Sequence, residues 1–263
     1  VIATARRIEP PSAAPAALAA PRPIHQRDLA RSWRILRAMA REQTDPDTAY
    51  RLLGDDTVAL LAERIDLDGA LAIDVGGGPG YTAEALRAAG AHAATVDPFP
   101  EELRLHGRTP VDAIVGDGRR LPFADGALDL VCTLNALEHV ADPWSLLSEL
   151  VRVARPGGTV LVGVTNWWSP WGGHETSPWH YLGGERAAQR YRARRGVEPK
   201  NRFGTSLFPV RIGELLAWAD RRRDVDLVDA FPRYYPRWTR PLVHVPGVRE
   251  VATWNLALVL EKR

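Results

Sequence analysis

A short apolar run, Ala70-Leu71-Ala72-Ile73-Asp74-Val75, ends directly in Gly76-Gly77-Gly78-Pro79-Gly80, and a helical pattern follows over 82–89. This junction constrains the chain more than any other feature. The backbone must turn sharply from a strand into a helix, which positive φ makes possible. Glycine there also lets a ligand lie against the main chain, where a Cβ would block it.

The same alternation continues. Apolar runs at 93–96, 111–115, 128–134 and 159–165 are separated by turn residues and by helical patterns, notably 143–154. Apolar strands alternating with helices predict an α/β fold with a parallel sheet covered on both faces. Before it, Leu29, Trp33, Leu36 and Met39 predict an amphipathic helix over 26–43. Asp45-Pro46 is a helix start, and that helix is expected to break near Gly54. After Thr165 the alternation lapses. Helices are expected at 185–195 and 212–222, strands at 226–230 and 252–260, and an ordered loop at 231–249. The Ala- and Pro-rich segment 1–23 reads as a disordered tail.

Asp97 closes the second apolar run, where a carboxylate can accept both hydroxyls of a ribose. Two cofactor classes use such a turn. The dinucleotide pattern G-x-G-x-x-G needs a small residue where Tyr81 stands, and Asp74 would repel a pyrophosphate. An amino acid sulfonium suits Asp74, so S-adenosylmethionine (SAM) is expected and NAD is not.

The motif set Asp74-x-Gly76-x-Gly78-x-Gly80, Asp97, Gly116-Asp117, Leu137-Glu138-His139-Val140 and Leu150-x-Arg152-Val153-x-Arg155-Pro156-Gly157-Gly158 resembles class I SAM-dependent methyltransferases over residues 70–165. The segment from Trp171 to Gly184, Lys200-Asn201 and 231–234 is similar to uncharacterised actinobacterial members. The resemblance implies a Rossmann-like, doubly wound sheet of seven strands, mostly parallel with a reversed last strand. It implies N-terminal helices and an insertion after the fifth strand, serving as lids. The expected organisation is one domain over 24–263: a helical lid (24–66), a SAM-binding core (67–165), an acceptor-binding elaboration (166–249) and the last strand (250–263). It further implies that Gly76, Gly77, Gly78 and Gly80 cradle SAM, with Asp74 at its amino group. Asp97 and Pro98 would serve the ribose, Asp117 and Gly118 the adenine, and Asn135 and Ala136 the methionyl side.

A hydroxyl acceptor would profit from a general base. His139, His174 and His180 are the candidates. His174-Glu175 followed by His180 lacks the helical H-E-x-x-H spacing, so no metal is expected. Trp167, Trp168, Trp171 and Trp179 fall within thirteen residues and, with Glu175 and Tyr181, are candidate acceptor contacts.

The formal charge is +2, yet residues 186–240 hold 14 Lys or Arg against 6 Asp or Glu. Arg190, Arg194 and Lys200 are therefore candidate contacts to an anionic or lipid-linked small-molecule acceptor, and peripheral membrane contact fits the same charge. Lysine occurs only at 200 and 262, so the abundance of arginine reflects a GC-rich coding bias. No nucleic-acid module accompanies the arginines. The single cysteine, Cys132, excludes an internal disulfide framework. With no run of ~18 apolar residues and no signal pattern, the expected location is the cytoplasm.

The leading expectation is methyl transfer from SAM to oxygen, on a sugar or secondary metabolite. Transfer to nitrogen or carbon, a SAM-binding regulator without transfer, and an NAD-dependent oxidoreductase are the alternatives. The sequence leaves the oligomeric state open.

Overall fold

A computed structural model describes residues 29–263; the segment 1–23 lies outside the described residues. Seven strands form one sheet: β1 (Leu71–Val75), β2 (His92–Asp97), β3 (Ala113–Val115), β4 (Leu128–Leu134), β5 (Ala154–Thr165), β6 (Val225–Pro232) and β7 (Asn255–Lys262). Their order is β3-β2-β1-β4-β5-β7-β6. The first five are parallel, and β7 lies antiparallel between β5 and β6. The expected mostly parallel sheet with a reversed last strand is the one observed.

Both sheet faces are buried, as continuous apolar strands require. Ile73, Val75, Val131 and Val162 face α4 (Pro143–Val153) and α6 (Ile212–Arg221) through Leu147, Leu150 and Leu215. Ala72, Leu130, Cys132 and Leu161 face α2 (Pro46–Leu61) and α3 (Tyr81–Ala88) through Leu60, Leu61 and Leu86. Both α2 and α4 start on an Asp N-cap followed by proline. Asp45 accepts from the Thr48 N–H and Asp142 from the Ser145 N–H, satisfying helix-end donors.

Three local expectations are corrected. Helix α2 runs unbroken through Gly54, and the glycine is there for packing, since a Cβ would lie 3.1 Å from the Tyr81 carbonyl oxygen. Glycine marks a close helix crossing here, which outweighs its cost of about 1 kcal/mol in a helix interior. In α1 (Leu29–Met39) the buried face carries Arg31 and Ile35, whereas Leu29 and Trp33 are each 57% exposed. The segment 231–249 is an ordered loop only in part, since it holds a 3-10 turn (Arg237–His244) and leads into α7 (Val248–Ala252). Strand β7 accordingly starts at Asn255 rather than at 252.

The late insertion contains two 3-10 turns, His174–Thr176 and Trp179–Leu182, followed by α5 (Gly184–Arg195). It leaves the sheet at the C-terminal end of β5, on the edge where ligands of open α/β sheets bind.

Candidate functional site

The order β3-β2-β1-β4-β5 reverses direction between β1 and β4, the switch point where such sheets open a crevice. The glycine turn follows β1 there. Gly76, with φ 73°, is so close to the loop after β4 that a Cβ would stand 2.3 Å from the Ala136 Cβ. Gly80, with φ 78°, caps α3 and would meet Pro110 at 2.7 Å. Any larger residue at either position must displace its neighbour and adopt a strained backbone.

Asp74 lies beneath this turn, 2% exposed. Its Oδ1 is buried without a hydrogen-bond partner. Burial pushes the carboxyl up to about 7, against hydrogen bonding by Thr82 and the charge of Arg233. Gly77 must be glycine because a Cβ would sit 2.5 Å from Asp74 Oδ2. An orphaned buried carboxylate oxygen is costly, and a cationic ammonium is the group that would satisfy it.

Asp97 ends β2 and is 5% exposed. Its Oδ2 accepts from the Gly78 N–H at 3.3 Å and its Oδ1 from the Phe99 N–H at 3.0 Å. Burial raises its carboxyl and these two backbone donors lower it. Pro98 is exposed beside it. Lys200 pairs with Glu102 at 2.8 Å. That exposed pair ties the insertion to the turn after β2, where Glu102 neighbours Gly78.

Asn135 turns the chain after β4 at φ 57°. Its side chain donates to the Tyr234 hydroxyl at 3.2 Å and accepts from Asn255 Nδ2 at 2.6 Å. Asn255 also reaches Thr165 Oγ1. This network joins β4, β5, β7 and the end of β6 under the crevice. It was invisible in sequence because its members lie up to 120 residues apart.

Asp117 forms an ion pair with Arg119 at 2.7 Å, and hydrogen bonds from Arg119 hold its carboxyl below the ordinary range. Gly118 has a packing reason of its own, since a Cβ would stand 2.7 Å from both Leu146 and Val75.

Two of the three histidines come together and the third packs elsewhere. His139 and His174 meet edge-on with ring centroids 5.1 Å apart. His139 Nδ1 donates to the Ser206 carbonyl at 2.7 Å. His174 adopts φ 50°. Its Nε2 is buried without a partner, and burial, with repulsion from His139 and His180, lowers it to about 3. Such an imidazole is a weak proton acceptor but an available lone-pair donor. His180 is 2% exposed and bonded to the Ser169 carbonyl at 3.1 Å. Its ring packs on Trp167 and Tyr181, and burial lowers its pKa.

Glu138 was not singled out by sequence, yet it converges on His139 and His174. It is 1% exposed. Its Oε1 accepts from the Thr165 N–H at 3.0 Å, and its Oε2 has no partner. Burial raises its carboxyl and the charge of His139 opposes that. Its advance signal was membership of the Leu137-Glu138-His139-Val140 motif, next to His139.

The aromatic candidates mostly hold the insertion together. Trp167 packs on Phe203, Trp168 carries Arg211 and accepts from the Tyr181 hydroxyl, and Trp171 stacks on Trp254 at 4.5 Å. Glu175 is bonded to the Asn201 backbone and side chain. Trp179 lies beneath Arg190 at 3.7 Å. These two, with Tyr191, Arg194 and Arg195, line a cleft of about 400 Å³.

A glycine turn thus stands at the switch point, with a buried acid beneath it and a second acid at the end of β2. Residues 73–162 match the family model of a methyltransferase domain. An uncharacterized methyltransferase of Mycolicibacterium gilvum is 46% identical over 243 residues, covering 88% of this chain and 94% of the relative. One from Mycobacterium marinum is 43% identical over 245 residues, covering 89% and 95%. A TehB-like SAM-dependent methyltransferase from Corynebacterium glutamicum shares the fold at 17% identity and TM-score 0.52, with 90% and 100% covered. A SAM-dependent methyltransferase from Thermotoga maritima does so at 15% identity and TM-score 0.53, with 88% and 100% covered. The chain belongs to the SAM-dependent methyltransferase family. Among the described residues no helix is long and apolar enough to cross a membrane.

Proposed function

We propose that this methyltransferase moves the methyl group of SAM to a hydroxyl oxygen of a small-molecule acceptor, such as a sugar or a secondary metabolite. The observation that carries the cofactor reading is the buried, unpartnered Oδ1 of Asp74 beneath a turn that only glycine can form. Asp74 would receive the amino group, and Gly76, Gly77, Gly78 and Gly80 would admit the ligand to the main chain. Asp97 would accept the ribose hydroxyls with the lone pairs that Gly78 and Phe99 leave free. Asn135 and Ala136 would line the methionyl side, Asn135 being fixed in place by Tyr234 and Asn255.

When bound, SAM supplies a methyl group on a sulfonium: the acceptor lone pair forms the new bond as the C–S bond breaks, and sulfur keeps that electron pair. The chain's residues contribute placement, which can supply a large share of such a rate gain. Oxygen as the acceptor atom is supported by His139, three residues beyond Ala136, and by the unpartnered Nε2 of His174 packed beside it. The Trp179–Arg190–Arg194 cleft suits an anionic or lipid-linked extension of the acceptor, with the cations offering charge and the indole an apolar wall.

Calorimetry with SAM, S-adenosylhomocysteine and NAD tests the cofactor reading. SAM and its product should bind with one site per chain; NAD binding without SAM binding would overturn it. Asp97→Ala should weaken SAM by about 1–3 kcal/mol, the worth of hydrogen bonds to a charged group. A mass gain of one methyl group in a compound from a cell extract incubated with enzyme and SAM would identify the acceptor.

A further inference from the structure

Directly after Asn135 and Ala136 in the chain, one cluster has no explanation in packing alone. Glu138, His139 and His174 each offer a ligand atom, and these atoms lie within 4.8 Å of one another. Two of these residues also hold a buried polar atom without a hydrogen-bond partner, Glu138 Oε2 and His174 Nε2. Leaving both orphaned is expensive, because each forgoes the hydrogen bonds it would have in water. A native fold retains such a pair when something else meets them.

The atoms behind the ligands are arranged as they are around metal ions. A metal-binding histidine commonly donates its second ring N–H to a backbone carbonyl, which fixes the tautomer and aims the lone pair. His139 Nδ1 does this toward Ser206 at 2.7 Å. A ligating carboxylate is likewise steadied on its other oxygen, and Glu138 Oε1 accepts from the Thr165 N–H at 3.0 Å. The Glu138 carbonyl accepts from the Phe208 N–H at 2.7 Å, locking the peptide next to His139. Two distant segments, the turn after β4 and the insertion after β5, are thus joined at three donor atoms.

We propose that Glu138, His139 and His174 bind one divalent transition-metal cation of the zinc class, with an open position for the acceptor hydroxyl. Two imidazoles and one carboxylate suit zinc and its transition-metal neighbours, whereas magnesium prefers oxygen alone. Ligand bonds of about 2.0–2.2 Å require the three side chains to draw slightly closer around the ion. Three protein ligands leave a tetrahedral ion one free site. An acceptor hydroxyl bound there loses its proton to solvent water and keeps the electron pair on oxygen, since a bound cation stabilises the anion. The catalytic part of this inference rests on the proposed methyl transfer to oxygen. The binding part does not.

The test uses the full chain with any affinity tag removed and with bound metal stripped by a chelator. Zn²⁺, Mn²⁺ and Mg²⁺ are titrated separately by calorimetry without SAM, and retained metal is counted by elemental mass spectrometry. One Zn²⁺ per chain should bind, more tightly than Mg²⁺. Glu138→Gln and His174→Asn should each weaken Zn²⁺ by more than the roughly 10–100-fold that follows loss of a partner behind a ligand. Both variants are chosen to keep the fold. Glutamine still accepts from Thr165, and asparagine tolerates positive φ. Neither should alter SAM affinity. Absence of Zn²⁺ binding to the parent protein, or variants that bind it as tightly as the parent, would overturn the site. Zinc binding in a protein that fails to bind SAM would instead remove the proposed methyl transfer and leave the metal site standing.

Discussion

Replacing Asp74 with Asn should abolish tight SAM binding and, at alkaline pH, make the ligand-free protein more stable. Both effects come from one buried carboxylate. Its Oδ1 has no partner, and burial raises its pKa to about 7, above the ~3.9 of an unfolded chain. The folded state therefore holds the proton more tightly than the unfolded state. Below pH ~4 both states are protonated and the site costs nothing. As pH rises towards 7 the unfolded chain ionises first, and stability falls; above 7 the penalty is constant. The gap of about three units corresponds to roughly 4 kcal/mol. Asparagine escapes that penalty and can accept the Thr82 hydrogen bond through its amide oxygen. Its new N–H₂ group is left short of acceptors, at a cost of about 1–3 kcal/mol. The net expectation is a gain of about 1–3 kcal/mol at pH 8 and none, or a loss, at pH 4. Denaturant titrations at the two pH values read it directly. The same substitution should weaken SAM by about 100-fold or more, because the ammonium would lose its charged partner in a desolvated site. In the parent protein SAM affinity should fall as pH drops below 7, when Asp74 must release a proton before binding. Unchanged SAM affinity in the variant would refute the role of Asp74. A stability difference independent of pH would show that the carboxyl titrates as an ordinary one.

This trade of stability for binding explains why the glycine turn was so legible. A turn that must pass close to a ligand and to a second loop leaves glycine as its only solution, so the run Gly76-Gly77-Gly78-Pro79-Gly80 announces itself in the sequence even though Gly76 and Gly80 meet Ala136 and Pro110 from other segments. The positions of the core strands were legible for a related reason, because apolar runs and helix starts are local signals. The Asp45-Pro46 start is a case in point. What stayed hidden depends on contacts between distant residues. Nothing near Glu138 indicates that His174 will fold back upon it, or that Asn255 will brace Asn135. The apolar spacing in α1 pointed to Leu29 and Trp33, but the helix buries Arg31 and Ile35 instead. A buried charge has no apolar period. Of the candidate cations, Lys200 pairs with Glu102, while Arg190 and Arg194 line one cleft.

That buried arginine gives the second large effect. Asp56→Ala should destabilise the protein by about 3–5 kcal/mol, the usual cost of leaving one charge of a buried pair uncompensated. Arg31 Nε and Nη2 reach the Asp56 carboxylate at 2.5 and 2.6 Å, and Nη2 also donates to the Arg233 carbonyl at 3.0 Å. Arg31 is 5% exposed and Asp56 8%. Arg233, 1% exposed, continues the joint by donating to Thr57 Oγ1 at 2.6 Å. Around it Ile35 and Leu53 pack with Tyr234 and Trp254. Tyr234 in turn receives the Asn135 hydrogen bond, so the joint that anchors α1 also supports the floor of the crevice. Losing Asp56 should therefore lower stability and, in protein that remains folded, weaken SAM. The double substitution Arg31→Met with Asp56→Leu separates charge from packing. It removes both charges while keeping most of the volume, and pairs replaced in this way are often neutral or stabilising. It should recover most of the loss in denaturant titrations, with an unchanged slope as the check that the denatured state is the same. If the single substitution costs less than about 1 kcal/mol, Arg31 can reach water after all, and α1 is a detachable helix rather than a fixed wall of the site.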